Sequence, residues 1–268
     1  MKAFCPFHIT GFFALKPSGA KFASVGCGIV IADGATTEAF KGDGSVYIDG
    51  EPSLAPTTRT VVDSLSAKQV DIRTELAAPI SCGLGTSGAG ALSTALSLNQ
   101  LWNLNLSFNK LCETAQRAEI INKTGVGDVI AQAVGGVVIR RQDSVDRIPS
   151  PPLEISYLVF GALSTPEILG DQRMLAATEK FGSAALNKLV QRPAFEEFMR
   201  LSRQFALDTE LLSQQARDAI EAVEAAGGCA SMAMLGDTVF GTDPGDALSE
   251  FGTARKTTIY SCGAHLVP

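Results

Sequence analysis

The run Pro79-Ile80-Ser81-Cys82-Gly83-Leu84-Gly85-Thr86-Ser87-Gly88-Ala89-Gly90-Ala91-Leu92 places glycines and hydroxyls at the start of a segment that reads as helix to about Trp102. Large side chains are missing where the turn would lie, so an outside group can approach the backbone. A helix start leaves N–H groups without internal partners, and the helix dipole makes that end electropositive. A glycine-rich turn entering a helix is therefore an anion site, and phosphate is the usual anion. The structural alternative is a tight turn whose glycines only permit close packing. Two carboxylates stand further on. Glu119 lies late on a second helix, and Asp128 sits in Lys123-Thr124-Gly125-Val126-Gly127-Asp128-Val129 at the start of a third. Glycines there again bring backbone close, and the aspartate is either a helix cap or a reactive group.

No Gly-Lys-Ser/Thr follows the glycines, so the loop is not a Walker A sequence. Gly83-Leu84-Gly85-Thr86-Ser87-Gly88 spells the dinucleotide fingerprint, but Pro79 interrupts the preceding run. The region from Leu104 to Asn109 also lacks the required acid. The loop instead resembles Pro-x-x-x-Gly-Leu-Gly-Ser-Ser-Ala of the galactokinase, homoserine kinase, mevalonate kinase and phosphomevalonate kinase (GHMP) superfamily. Thr86 and Ser87 take the paired-hydroxyl positions and Gly88 replaces the usual alanine. His8-Ile9-Thr10-Gly11-Phe12-Phe13 and the Thr124–Val129 segment resemble the archaeal-type pantoate kinase branch of that superfamily.

That resemblance implies an α+β, two-domain GHMP kinase fold. It has a ribosomal-protein-like N-terminal domain over 1–148 and a ferredoxin-like α/β sandwich over 149–268. The implied reaction is ATP-dependent phosphorylation of pantoate to 4-phosphopantoate in coenzyme A synthesis, with magnesium. Gly83, Leu84, Gly85, Thr86, Ser87, Gly88 and Ala89 would cradle ATP, and Ser87 with Glu119 would hold the metal. Asp128 would be the catalytic base, with His8, Thr10, Gly125 and Gly127 around the substrate. Pantoate is an anion, and Lys16, Lys21, Arg59 and Lys123 are all candidates for its carboxylate. The alternatives are the same chemistry on homoserine or mevalonate, or a silent kinase-like sensor. Retention of Ser87, Glu119 and Asp128 together speaks against silence, since sensing needs no base. The superfamily's third glycine-rich motif is thinned here to Ala226–Gly236.

The rest of the composition narrows the class. A formal net charge of −6 with no basic cluster argues against nucleic acid or an anionic membrane. The resemblance implies pantoate and ATP as the partners, and a cytoplasmic protein with room for a homodimer is expected. Six scattered cysteines and a histidine near each end form no zinc pattern and read as reduced thiols. No apolar run approaches a membrane span. Pro6, His8, Thr10 and Gly11 break up the apolar start ahead of Ser18-Gly19-Ala20, so no cleaved signal is expected.

The elements that must position these residues follow from periodicity and punctuation. Ala3–Thr10 reads as a strand restricted by Pro6 to an edge, a bulge or a strand start. Ser24–Ala32 and Ala35–Phe40 read as a hairpin about Asp33-Gly34. A short strand at Val46–Ile48, a helix over Arg59–Lys68 and an alternating strand over Gln69–Leu76 lead to the loop. Ser107 caps the next helix, and Gly135-Gly136 precede a strand over Val137–Arg140. Gln142–Pro152, rich in charge and proline, reads as the domain boundary. Beyond it come a strand at Glu154–Gly161, a helix start at Leu163–Glu167 with Thr165 as cap, and helices near 171–190, 193–206 and 209–226. Strands at 229–235, 237–241 and 256–262 complete the chain, with Gly236-Asp237 as a turn.

Overall fold

The computed structural model describes residues 1–16, 24–65, 68–162 and 172–268. The expected helix start at Leu163–Glu167, with its Thr165 cap, lies outside the described residues, as do Lys21 and Ser18-Gly19-Ala20.

β1 (Lys2–Leu15) and β2 (Ser24–Lys41) form the long antiparallel pair on which the site is built. β1 runs past Thr10 because Phe12 and Phe13 go on pairing with Cys27 and Gly26. Pro6 sits at a register shift, where a missing N–H costs the ladder nothing. The hairpin expected at Asp33-Gly34 is not formed. β2 passes straight through those residues, and the register moves from Pro6↔Gly34 to Phe7↔Ile31, a bulge rather than a turn. Two tertiary contacts hold it open. A Cβ at Gly34 would lie 2.6 Å from the Phe4 ring, and Asp33 Oδ2 accepts a 2.5 Å bond from the Tyr157 hydroxyl. The bulge also divides one edge of β2 between two partners, the strand over Val70–Leu76 beside Ala35–Lys41 and the strand over Val137–Arg140 beside Gly26–Ile29.

β3 (Val46–Ile48), β4 (Glu51–Pro52), α1 (Pro56–Leu65) and β5 (Val70–Leu76) follow, with β3 parallel to β5. Next come α2 (Thr86–Trp102), α3 (Phe108–Asn122), α4 (Asp128–Val134) and β6 (Val137–Arg140). α2 is buried along Gly88–Leu98 because its glycines, alanines and hydroxyls allow close approach to the sheet. Ser93 bonds the Thr37 hydroxyl and Ser97 the Thr37 carbonyl. Ser107 caps α3 as expected, accepting from Lys110 N. The Gln142–Pro152 stretch carries a further strand, β7 (Val145–Ile148), paired with β6.

β8 (Glu154–Gly161), α5 (Gln172–Gln191), α6 (Phe195–Asp208), α7 (Gln214–Ala225), β9 (Cys229–Met232), β10 (Asp237–Thr242) and β11 (Arg255–Thr258) make the second half. Its sheet has the order β11-β8-β10-β9, antiparallel throughout. The last expected strand is shorter than 256–262. After Thr258 the chain crosses to the first sheet, where Ile259 bridges Ile31, and returns as β12 (His265–Val267) on the edge of β1. One core runs through both halves, because Phe12 and Phe13 of β1 pack on Phe198 and Phe205 of α6 with ring centroids 6.0–6.4 Å apart. A Cβ at Gly11 would lie 2.6 Å from the Phe198 ring. Truncating such a buried ring typically costs about 3–5 kcal/mol. Among the described residues no helix is long and apolar enough to cross a membrane.

Candidate active site

The glycine loop becomes a left-handed turn at Gly83 (φ +86°) and Gly85 (φ +61°), conformations glycine adopts without a Cβ penalty. Gly85 occupies the position before α2. No side chain caps that end, and no acid stands in its first turn. The first N–H groups of α2 are thus left for an incoming anion. Leu84 and Ala89 are buried, so at these positions only backbone is offered. The loop is braced by neighbours. Gln132 Nε2 donates to Gly85 O at 2.8 Å, the Thr238 hydroxyl to Cys82 O at 2.6 Å, and His8 N to Leu84 O at 3.1 Å. The thinned third motif abuts it directly: a Cβ at Gly83 would lie 3.0 Å from Gly236 Cα. Met234 N donates to Thr10 O at 2.9 Å, tying the same turn to β1.

Glu119 is 1% exposed at the end of α3. Its Oε1 accepts from the Thr124 hydroxyl at 3.0 Å, while Oε2 is buried without a partner. Burial, and then the negative charge of Asp128, push its carboxyl up to about 8. Glycines make room for it, since a Cβ would lie 2.9 Å from Oε2 at Gly88 and 2.6 Å at Gly125. Hydroxyls link it to the loop: Ser87 to Thr57 at 3.3 Å, Thr57 to Thr124 at 3.2 Å, and Thr124 to Glu119. Asp128 opens α4, and its Oδ1 takes a 2.7 Å hydrogen bond from His8 Nδ1.

Ser87, Glu119, Gly125, Gly127, Asp128 and Thr10 all line one cavity of about 570 Å³. Arg140, the last residue of β6, lines it too. Its guanidinium donates to Gly127 O and to the Ser24 hydroxyl, and burial lowers its pKa to about 10. Gly127 is forced small here, because a Cβ would collide with that guanidinium. Among the cations expected from sequence, Lys123 lines the cavity. Arg59 instead spends its guanidinium on the carbonyls of Leu54, Gly44 and Ser53. Lys16 Nζ reaches Ser183 at 3.4 Å.

The curated pantoate kinase of Methanocaldococcus jannaschii is 32% identical, covering 96% of this chain and 97% of that protein. That of Methanospirillum hungatei is 34% identical over 96% and 93%. The chain belongs to the pantoate kinase family. The GHMP kinases N terminal domain matches residues 55–136, which hold the loop, Glu119 and Asp128. A solved structure described as a phosphotransferase related to the CoA biosynthesis pathway superposes with a TM-score of 0.85. It is 25% identical, over 99% of this chain and 98% of that one. The two-domain GHMP architecture expected from the sequence is therefore the fold observed.

Sequence reading missed several residues that line this cavity or brace its loop. Arg140 reads as an ordinary strand end, and only the pairing of β6 with β2 brings it to Ser24. Thr57 lies in the first turn of a helix whose start was placed later, and Gln132 looks like a surface residue of a short helix yet is fully buried. A polar residue four positions after Asp128 was the one available signal for Gln132, because that spacing shares a helix face.

Proposed function

We infer that the protein transfers the γ-phosphoryl group of ATP to the terminal hydroxyl of pantoate, giving 4-phosphopantoate. The carrying observation is a single cavity that joins an uncapped helix N-terminus, two carboxylates and a buried guanidinium. Phosphoryl transfer asks chiefly for positioning and charge stabilisation, and these parts supply both. The loop N–H groups would hold the phosphates. Arg140, with Ser24, would take the acceptor carboxylate, as guanidinium suits that planar anion. Phe13, Met234 and Leu235 give the same cavity an apolar wall suited to a dimethyl-substituted carbon. Among the described residues the acids lining it are Glu119 and Asp128, which leaves no further acid there to pair with the ammonium of homoserine.

In the reaction the acceptor oxygen bonds to the γ-phosphorus as the bond to the β-phosphate oxygen breaks. The electron pair stays on ADP and the hydroxyl proton passes to Asp128. Magnesium fits the donor set, because Glu119 Oε2 is a buried oxygen lacking a partner and the Ser87 hydroxyl belongs to the same network. Bound there, it would neutralise charge on the phosphates. We also keep the division at 148/149, a cytoplasmic setting and a homodimer as parts of this reading. ADP release measured with pantoate, homoserine and mevalonate tests it. Pantoate should be preferred at least about tenfold in kcat/KM, a modest discrimination for a polar contact. Turnover of homoserine or mevalonate at tenfold higher kcat/KM would overturn the acceptor, and nucleotide binding with no turnover of any alcohol would favour the sensor.

A further inference from the structure

His8, expected beside the substrate, does not line the large cavity. It is 5% exposed and sits behind Asp128, facing a small cavity of about 20 Å³ that it shares with Gly28, Ala131 and Val138 and that meets the large cavity at Thr10, Phe13 and Arg140. Its Nδ1 meets Asp128 Oδ1 at 2.7 Å, and its backbone N–H donates to Leu84 O in the phosphate loop at 3.1 Å. Gly28 is held small beneath the ring, for a Cβ there would run into Nε2. The imidazole is thus fixed on one side by β2 and bonded on the other to the carboxylate at the start of α4. Asp128 itself lines the large cavity. With Oδ1 taken by His8, Oδ2 is the oxygen left for the acceptor.

We propose that His8 is a positioning residue for phosphoryl transfer: Nδ1–H holds Asp128 Oδ1 so that Oδ2 meets the acceptor hydroxyl, and His8 does not touch the substrate. This rests on the pantoate kinase reading above. One residue then couples the two halves of the reaction geometry, through its main chain to the phosphate loop and through its side chain to the base. A base held in one rotamer reaches the transition state without the reorganisation that a loosely held carboxylate must undergo.

Substitutions separate this role from substrate contact. An Asn amide can place a donor near the position of Nδ1, whereas Gln places it nearer Nε2. Wild-type turnover of pantoate with magnesium and ATP comes first and scores the function by itself. If another alcohol is the better acceptor, the same variant-to-wild-type ratios are read on that alcohol. Expected are kcat losses of roughly 10–100-fold for His8→Ala and His8→Gln, the usual cost of removing a group that orients a reactive one. His8→Asn should recover to within about threefold of wild type, and KM for both substrates should stay within about threefold throughout. In an Asp128→Asn background, His8→Ala should cost nothing more, because a residue acting through another loses its effect with it. A rise in acceptor KM with kcat preserved would overturn the proposal, as would losses that multiply in the double variant. If His8→Ala fails to fold, the comparison of Asn with Gln decides, and equal losses there would overturn it as well.

Discussion

At the proposed nucleotide end of the cavity the lining residues come from one short run, Gly83, Gly85, Thr86, Ser87 and Gly90, and what they would offer is mostly backbone. At the proposed acceptor end Ser24, Asp128 and Arg140 come from β2, α4 and β6 and would act through side chains, with His8 of β1 bonded to Asp128 from behind. A main-chain site needs a particular local conformation, which a short run of glycines can encode alone. A side-chain site needs strands in register and a helix set against them, so its specification is spread over the chain. The first should tolerate changes in distant packing and fail at single backbone positions. The second should fail one function at a time.

The largest expected effect is at Asp128. Asn is nearly isosteric and can still begin α4, but it accepts no proton at neutral pH. Asp128→Asn should lower single-turnover rates by about 10²–10⁴-fold while leaving ATP affinity little changed. Near-wild-type rates in a folded variant would reduce the residue to a helix cap. Next comes Gly85→Val, which puts a branched side chain at φ +61°, a conformation costing an L-residue about 1–2 kcal/mol. Its Cβ would also lie 3.0 Å from Gln132 Nε2 and 3.1 Å from Asp128 Cβ. Titration with ATP should show weakening of about tenfold or more, at roughly 1.4 kcal/mol per tenfold, and greater than the weakening for pantoate. Unaltered ATP affinity would make the loop a packing turn and erase the contrast between the two ends.

Arg140→Met should act in the opposite sense. A hydrogen bond to a charged group is worth about 1.5–3 kcal/mol, so the acceptor KM should rise roughly 10–100-fold with a smaller change for ATP. Equal losses for both substrates would mean that Arg140 serves the fold around Gly127 rather than the acceptor.

The smallest effect is one of stability. Glu119 titrates near 8 in the fold, against about 4.3 in an unfolded chain. Between those values the folded protein keeps a proton that the unfolded chain has released, so stability falls as pH rises through the window. Without nucleotide and with chelator present, the melting temperature should drop from pH 5 to pH 8. Glu119→Gln should flatten that slope, and an unchanged slope would place its origin elsewhere.

The same contrast explains how much was readable beforehand. The loop, the capped helix after Ser107, the strand at Glu154–Gly161 and the three helices before Cys229 carry local signals of glycine, capping and periodicity, and each appears near its expected position, though the last helix begins at Gln214 rather than at 209. Asp33-Gly34 carries an equally strong local signal and misleads. Tyr157, far along the chain, and the Phe4 ring turn a hairpin pair into a bulge. β12 was invisible because three residues on an edge have no period to detect. Arg140 and the placement of His8 were likewise out of reach, since neither depends on its own neighbours. Phe12 and Phe13, read as part of a segment resembling the pantoate kinase branch, also form the joint between β1 and α6.

The turn that leads into β10 bears on how this protein can be recombined with its relatives. Gly236 lies against Gly83, and Thr238 is bonded to Cys82 O, so the second half of the chain shapes the phosphate loop of the first. Chimeras that exchange everything after residue 148 would therefore inherit a nucleotide pocket assembled from mismatched parents, even with every loop residue retained. Such hybrids should fold through their own cores yet bind ATP poorly, and function should return when residues 233–238 are transplanted along with the loop they support.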